Sequence, residues 1–460
     1  MKQRHIIDSK SITEGTIWKQ LLFFFFPIVI GTFFQQLYNT ADAIIVGNAV
    51  GKEALAAVGG TTATLVNLLV GFFIGLSSGA TVIISQYYGA QQENRVGLAV
   101  HTAAALSLLF GLILTVGGMI FAPLLLRFMS TPLDVFPHAN VYLQTIFAGM
   151  IPLIIYNVGA GVLRAVGDSA RPLYYLMAAC LTNIVLDVLF VAILHKGTAG
   201  AALATVFSQC VCAVLVIQAL LRERGCIQLK LTQIHLHRDM LWAILRIGFP
   251  AGLQSVMYSL SNATIQAAIN GFPTDVLAGW TAYGKMDGLY WMIVSSFGIA
   301  ITTFAGQNWG AGRVDRVRLA IRQCLAMTAL ATALMMLFML SFGRTLFHMF
   351  TSDEGVVETG IQILWMLVPF YATYIPVEIF SGALRGTGDS VIPTMMTLFG
   401  VCLLRVVWVF AVVPSHHTIG TVLASYPITW CLTSTLFILY YFTRSPIIRA
   451  ARMRERIHTS

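Results

Sequence analysis

Two seven-residue stretches of this chain are versions of one another. Leu163-Arg164-Ala165-Val166-Gly167-Asp168-Ser169 returns 221 residues later as Leu384-Arg385-Gly386-Thr387-Gly388-Asp389-Ser390. Gln86-Tyr87-Tyr88-Gly89-Ala90 returns at the same spacing as Gln307-Asn308-Trp309-Gly310-Ala311. Pro27 and Pro250, each inside an apolar run, lie 223 apart. Three matches in one order, at a nearly constant offset, mean an internal duplication. The chain must fold as two related halves.

The medium of that fold follows from charge. Only 10% of the residues are charged and 57% are hydrophobic, where soluble domains carry about 25% charged. A soluble chain of 460 residues could not cover its surface with so few. The net charge of +9 does not mark a nucleic-acid binder. The basic residues sit at the ends of apolar segments, with no stripe of Lys or Arg interleaved with aromatics. The seven cysteines show no zinc-site spacing and read as small buried hydrophobes.

A spanning helix needs about 20 mostly apolar residues. Twelve such segments are predicted, at 17–46, 53–80, 96–122, 137–162, 171–194, 198–221, 241–270, 278–304, 318–342, 358–383, 391–414 and 418–443. Residues 1–16 are polar, and the first apolar run is too long for a signal-peptide core. Six segments per half give the halves one orientation. The expected fold is an all-α integral membrane protein, with twelve transmembrane helices in two pseudo-symmetric six-helix lobes. The N-lobe is 1–222, a cytoplasmic linker 223–240, the C-lobe 241–443 and a basic cytoplasmic tail 444–460.

With the N-terminus inside, 22 of the 28 Lys and Arg residues fall on the inner side. Only Lys52, Arg127, Lys196 and Arg344 fall in outer loops. That bias places both termini in the cytoplasm, across an inner or plasma membrane. The arginines from Arg444 to Arg456 suit an anchor to anionic headgroups.

Ionisable groups within a bilayer are expensive, about 2.5–3.5 kcal/mol on insertion scales, and mark a cavity or pathway by default. Gln35, Tyr38 and Asp42 share one face of span one. Asn183 and Asp187 are i, i+4 on span five, and Thr205 lies in a small-residue run of span six. Two carboxyls facing one apolar cavity hold a proton or recruit a cation, which is the physics of a coupling site. Lys285 and Asp287 read equally well as helix-end residues snorkelling to water. Arg405, mid-span in eleven, needs a partner, and Glu378 on span ten is the candidate. The second half does not copy the acidic pair: Trp408 stands at the position of Asp187 and Leu404 at that of Asn183. Pro27 and Pro250 each remove a helical hydrogen bond, giving a fixed kink or a hinge. The run Phe23 to Phe26 reads as lipid-facing filler.

No GxxxxGK[ST], HExxH or GxSxG motif is present. With no clustered catalytic constellation, an enzyme is not expected. A duplicated, apolar chain with buried carboxyls reads as a transporter, with a solute site between the halves opened to either side by rocking.

At this point the residues resemble a known family, MATE (multidrug and toxic compound extrusion). The resemblance rests on the opening Leu21-to-Gly47 stretch with Pro27, Gln35, Leu37-Tyr38-Asn39 and Asp42 before Val46-Gly47, and on Leu55 to Gly60. Gln86…Gly89 with its echo Gln307…Gly310, and the two Leu-Arg-x-x-Gly-Asp-Ser loops, complete it. It covers nearly all of the chain. Asp42 and Asp187 with Asn183 look like the DinF-like branch, so the resemblance implies a coupling-cation site, for H+ or Na+, at Asp42, Asn183, Asp187 and Thr205. It implies cavity residues at Gln35, Tyr38 and Tyr142, and a hinge at Pro27 that bends on protonation. Glu378 is retained as a C-lobe substrate residue. Span seven contains no Asp or Glu, a departure from the NorM-like branch with its helix-seven glutamate. The implied activity is antiport of organic cations, dyes and drugs against H+ or Na+, by a monomer in the lipid bilayer with no cofactor beyond the coupling ion and no nucleic-acid partner. The alternative is a flippase for a lipid-linked sugar, which would favour a cationic cavity.

Overall fold

A bilayer offers no hydrogen bonds, so each apolar segment must close its backbone bonds on itself as a helix. The computed structural model describes residues 10–129 and 131–459. Among them are eleven helices long and apolar enough to span, and a twelfth span made of two arms bent by 50°. In chain order these are α1 (Ile17–Ala49), α2 (Glu53–Gly89), α3 (Glu93–Phe128), α4 (Phe136–Ala148 and Met150–Ala165) and α5 (Ala170–Ile193). They continue with α6 (Gly197–Arg222), α7 (Arg238–Ile269), α8 (Thr274–Gly310), α9 (Val314–His348), α10 (Glu354–Gly386) and α11 (Val391–Ala411). The last span is α12 (Ile419–Arg444), followed by α13 (Pro446–Thr459). The protein is all-α with twelve transmembrane helices, as the apolar segments require. Of the cations used for orientation, Lys2, Arg4 and the side chains of Lys10, Lys52, Arg454 and Arg456 lie outside the described residues.

The duplication survives in hydrogen bonds. After α4, Gly167 N donates to Arg164 O (2.9 Å) and Asp168 N to Leu163 O (3.0 Å). After α10, Gly388 N donates to Arg385 O (2.9 Å) and Asp389 N to Leu384 O (3.0 Å). Both glycines have positive φ, 102° and 93°, which explains why glycine recurs there. The turn after α2 matches the turn after α8 in the same way. Gln91 N bonds Tyr88 O, and Gly312 N bonds Trp309 O. Here the left-handed position holds Gln91 (φ 57°) in one copy and Gly312 (φ 70°) in the other. Gln91→Gly is therefore expected to stabilise the protein by up to about 1 kcal/mol, the strain of a side chain in that conformation. Thermal unfolding in detergent reads this, and a lower melting temperature refutes it.

Helix contacts repeat too. A Cβ on Gly161 of α4 would lie 2.4 Å from Thr81 Oγ1 of α2. At the matching positions, a Cβ on Gly382 of α10 would lie 3.0 Å from Thr302 Oγ1 and 2.7 Å from Gly298 O of α8. Backbone irregularities fall in corresponding spans. The bend of α4 at Gly149 has its counterpart in a 3-10 segment, Val368–Tyr374, within α10. A π turn occupies Val188–Ile193 in α5, and another Leu398–Leu403 in α11.

The chain packs as two compact units. One comprises Phe26–Ser255; the other comprises Ile12–Phe25 and Val256–Ser460. The divisions fall inside α1 and α7, near Pro27 and Pro250, and not in the polar stretch 223–240 expected as the lobe linker. That stretch is docked on the first unit: Lys230 N donates to His101 Nε2 (3.1 Å) and His237 N to Thr102 Oγ1 (3.3 Å) of α3. Ile227 and Leu229 are buried. Polarity marked exposure of this segment but not which helices it packs with.

In the second unit, the start of α1 is tied to the α8–α9 turn. Arg316 donates to Gly15 O (2.9 Å) and Ile12 O (3.2 Å), and Arg313 to Thr13 O (2.8 Å). Phe25 stacks on Phe297 with centroids 4.0 Å apart. The phenylalanine run thus divides: Phe23 and Phe26 are exposed, as expected of lipid-facing filler, whereas Phe24 and Phe25 are buried. Helix α13 lies against α9 and α12 over a cavity of about 220 Å³ lined by Arg318, Arg322 and Arg452.

Candidate functional site

The first unit gathers the acidic residues. On α1, Asp42 is 4% exposed and Tyr38 is buried, with Gln35 hydrogen-bonded to it. On α5, Asn183 and Asp187 are fully buried. The carboxyl groups of Asp42 and Asp187 lie close enough to act on one another. No hydroxyl, amide or amine among the described residues donates to Asp42 Oδ1 or to either oxygen of Asp187. Both amide atoms of Asn183 are likewise without a partner. Tyr142 of α4 is buried close enough to Asp42, Tyr38 and Asp187 for their charges to act on it. Thr205 is half-buried, and its hydroxyl donates to Ala201 O of its own helix (3.2 Å).

Two local features build this site. A Cβ on Gly31 would lie 3.2 Å from Leu176 Cδ1, so the glycine brings α1 close to α5. Asp187 is the last residue before the π turn. The wider turn re-aims the helix after it, a device common at functional sites. Periodicity does not signal a π turn, and the sequence reading missed both.

The resulting chemistry is limited and definite. Oxygens of Asp42, Asp187 and Asn183 are buried together without donors. Two bare carboxylates in contact repel, and a proton or a hard monovalent cation between them removes the repulsion. Oxygen ligands suit sodium. Among the described residues no group of three or more His, Cys, Asp and Glu forms a transition-metal site.

The second unit carries a polar cluster of another kind. Asp287 Oδ1 accepts from Tyr371 Oη (2.6 Å) and Tyr283 Oη (3.3 Å), and its Oδ2 from Trp291 Nε1 (2.8 Å). The rings of Tyr290 and Tyr371 stack 3.8 Å apart, and Tyr290 donates to Tyr371 O (2.8 Å). Asp287 is therefore an inward, liganded residue rather than a helix end reaching for water, while Lys285 is exposed. The spacing Tyr283, Asp287, Trp291, each four apart on one helix face, was the available signal.

Arg405 is 2% exposed. Its guanidinium lies over the Tyr426 ring, 4.1 Å from the centroid, and Nη1 donates to Asn262 Oδ1 (3.3 Å). The expected pairing with Glu378 is not made. Glu378 is half-buried in α10, where the cation acting on it is Arg385 of the same helix. An aromatic face and an amide take the place of the carboxylate.

Comparison with known proteins decides the family. The MatE family model matches residues 27–189 and again 250–411, one match in each half. The chain belongs to the MatE family. MatE proteins are membrane transporters, so this chain is a multi-pass transporter and not an enzyme. It is 31% identical to the probable multidrug resistance protein YpnP of Bacillus subtilis, over 85% of this chain and 88% of that one. It is 24% identical to an FAD transporter of Shewanella oneidensis, over 84% of each. A solved MOP superfamily transporter from Pyrococcus furiosus has the same fold, with a TM-score of 0.90 at 23% identity over 98% of this chain and all of that one.

Proposed function

We propose that this MatE protein exports cationic or amphipathic organic compounds in exchange for H+ or Na+, by alternating access, with Asp42 and Asp187 as the coupling pair. The observation that carries the reading is the closeness of two buried carboxyls, of which Asp42 Oδ1 and both oxygens of Asp187 meet no donor. Asn183 supplies a further ligand oxygen, and Tyr38, Gln35 and Tyr142 wall the same place. Thr205 stands on the neighbouring helix as an additional oxygen. The relative named as a probable multidrug resistance protein supports the substrate class. A ligand moves the transporter only through different affinity for its two states. A cation between the carboxyls supplies that difference by cancelling their repulsion, which favours release of a cationic substrate. Pro27 is the hinge in this scheme, Glu378 a substrate contact in the second half, and the protein a monomer of the cell membrane with both termini cytoplasmic. The coupling ion is its only cofactor.

The test is flux. The purified protein in liposomes is given ethidium and an imposed proton gradient, then a sodium gradient. Export driven by one of the two establishes antiport and names the ion. No flux under either removes the reading and turns attention to a lipid-linked sugar.

A further inference from the structure

Arg405 sits in α11 at bilayer depth, and burying an unpaired guanidinium there is expensive. A guanidinium offers five N–H donors. In this structure Nη1 is engaged by Asn262, while Nε is buried without any acceptor. No carboxylate lies within ion-pair distance among the described residues. The charge of Asp287 reaches it, but that carboxyl already accepts from three donors. The Tyr426 ring fixes the guanidinium plane from one side without neutralising it. Around it stand Trp430, Trp291, Tyr374 and Tyr258. Trp430 packs on Tyr426 at 5.5 Å and on Trp291 at 6.0 Å, and Tyr374 shares a 2.6 Å hydroxyl contact with Tyr258. Asn262 is exposed, and Tyr426, Trp291 and Tyr258 are half-buried, so the cluster has an open side.

We propose that the second unit holds a recognition site for planar aromatic compounds bearing an anionic group, a carboxylate or a phosphate, with Arg405 as the anion contact. The aromatic walls take the ring by stacking. The guanidinium takes the anion through its free edge, a charge-assisted contact whose planar fork suits both groups. Asn262 holds the guanidinium ready and is released or retained as the anion docks. This inference rests on the export reading and extends its substrate class. It makes zwitterions and aromatic anions substrates alongside cations, with the anion bound in the half that lacks the coupling pair.

The experiment compares two flavins with one ring system: riboflavin, which is uncharged, and flavin mononucleotide, which adds a phosphate. Binding to the detergent-solubilised full chain is followed by flavin fluorescence anisotropy. The mononucleotide is expected to bind about tenfold more tightly. Arg405→Gln removes that preference, and Arg405→Lys reduces it by keeping the charge and losing the fork. Equal affinity of wild-type protein for the two flavins overturns the proposal, and that arm needs no variant to fold. A preference that survives in Arg405→Gln also overturns it. Because no gradient is involved, failure here leaves the antiport reading standing, and loss of ethidium flux leaves this one standing.

Discussion

Asp42→Asn is expected to reduce gradient-driven ethidium export to the level of protein-free liposomes. Asparagine keeps the volume and a hydrogen-bonding oxygen, so the packing of α1 against α5 through Gly31 is retained. What is lost is the electrostatic difference between an empty and a cation-occupied pair. With one permanent neutral amide, there is no repulsion for the cation to relieve, and the two states are no longer biased by the gradient. Asp187→Asn is expected to give the same loss, because the pair and not either residue holds the cation. Tyr38→Phe removes only the bond to Gln35 and is expected to slow export a fewfold, in line with one neutral hydrogen bond of about 1 kcal/mol. Ethidium binding without a gradient, and a monodisperse elution profile, separate lost coupling from lost folding. Export that persists in both asparagine variants moves coupling away from α1 and α5, with Glu378 the next group to replace.

Gly248→Val is expected to produce the largest loss of stability. In the first unit α2 and α7 approach backbone to backbone. A Cβ on Gly248 would lie 2.1 Å from Leu76 O, and one on Gly79 would lie 2.3 Å from Ile244 O. Gly75 and Gly252 make the same approach one turn away, each Cβ meeting partner backbone at 2.6 Å. Backbone cannot rotate aside as a side chain can, so the helices must separate. Overpacking costs about 1–3 kcal/mol in ordinary cores and more where nothing yields. Membrane helices rely on such small-residue contacts because lipid supplies no hydrophobic drive between them. Gly248→Ala is expected to lower the melting temperature clearly, and Gly248→Val to prevent accumulation of folded protein. Gly117→Ala is the control, since a Cβ there meets nothing within 4 Å. A Gly248→Val protein as stable as wild type would show that α2 and α7 do not pack this way.

What the sequence made legible follows from what leaves a one-dimensional trace. Spans do, because a bilayer forces a minimum apolar length, and all twelve segments correspond to helices. The repeated Leu-Arg-x-x-Gly-Asp-Ser loops do, because a positive φ selects glycine at both Gly167 and Gly388. Asp42 and Asp187 could be singled out because charge is rare in such segments; that they lie close enough to act on one another is a fact of packing across 145 residues of chain, visible only in the fold. Arg405 shows the opposite case. Charge rules demand a carboxylate partner, yet Tyr426 and Asn262 satisfy it in part, and neither carries a charge to search for. For Asp287 the helix-end and inward readings stand even in the sequence, because hydropathy gives depth only to within a turn or two. The π turns in α5 and α11 are a matter of local backbone geometry, which leaves no composition signature.

The assignment of Ile12–Phe25 to the second unit bears on biosynthesis. Their partners at Phe297, Asn308, Arg313 and Arg316 are translated almost 300 residues after them. At about 5–20 residues per second, the start of α1 waits roughly 15–60 s for them. During that interval the first unit can complete its own core around a helix whose opening turns have no protein partner from their own unit. A truncation ending before α8 should therefore insert its seven spans yet leave the segment 12–16 ahead of α1 open to protease, and extension past Arg316 should close it.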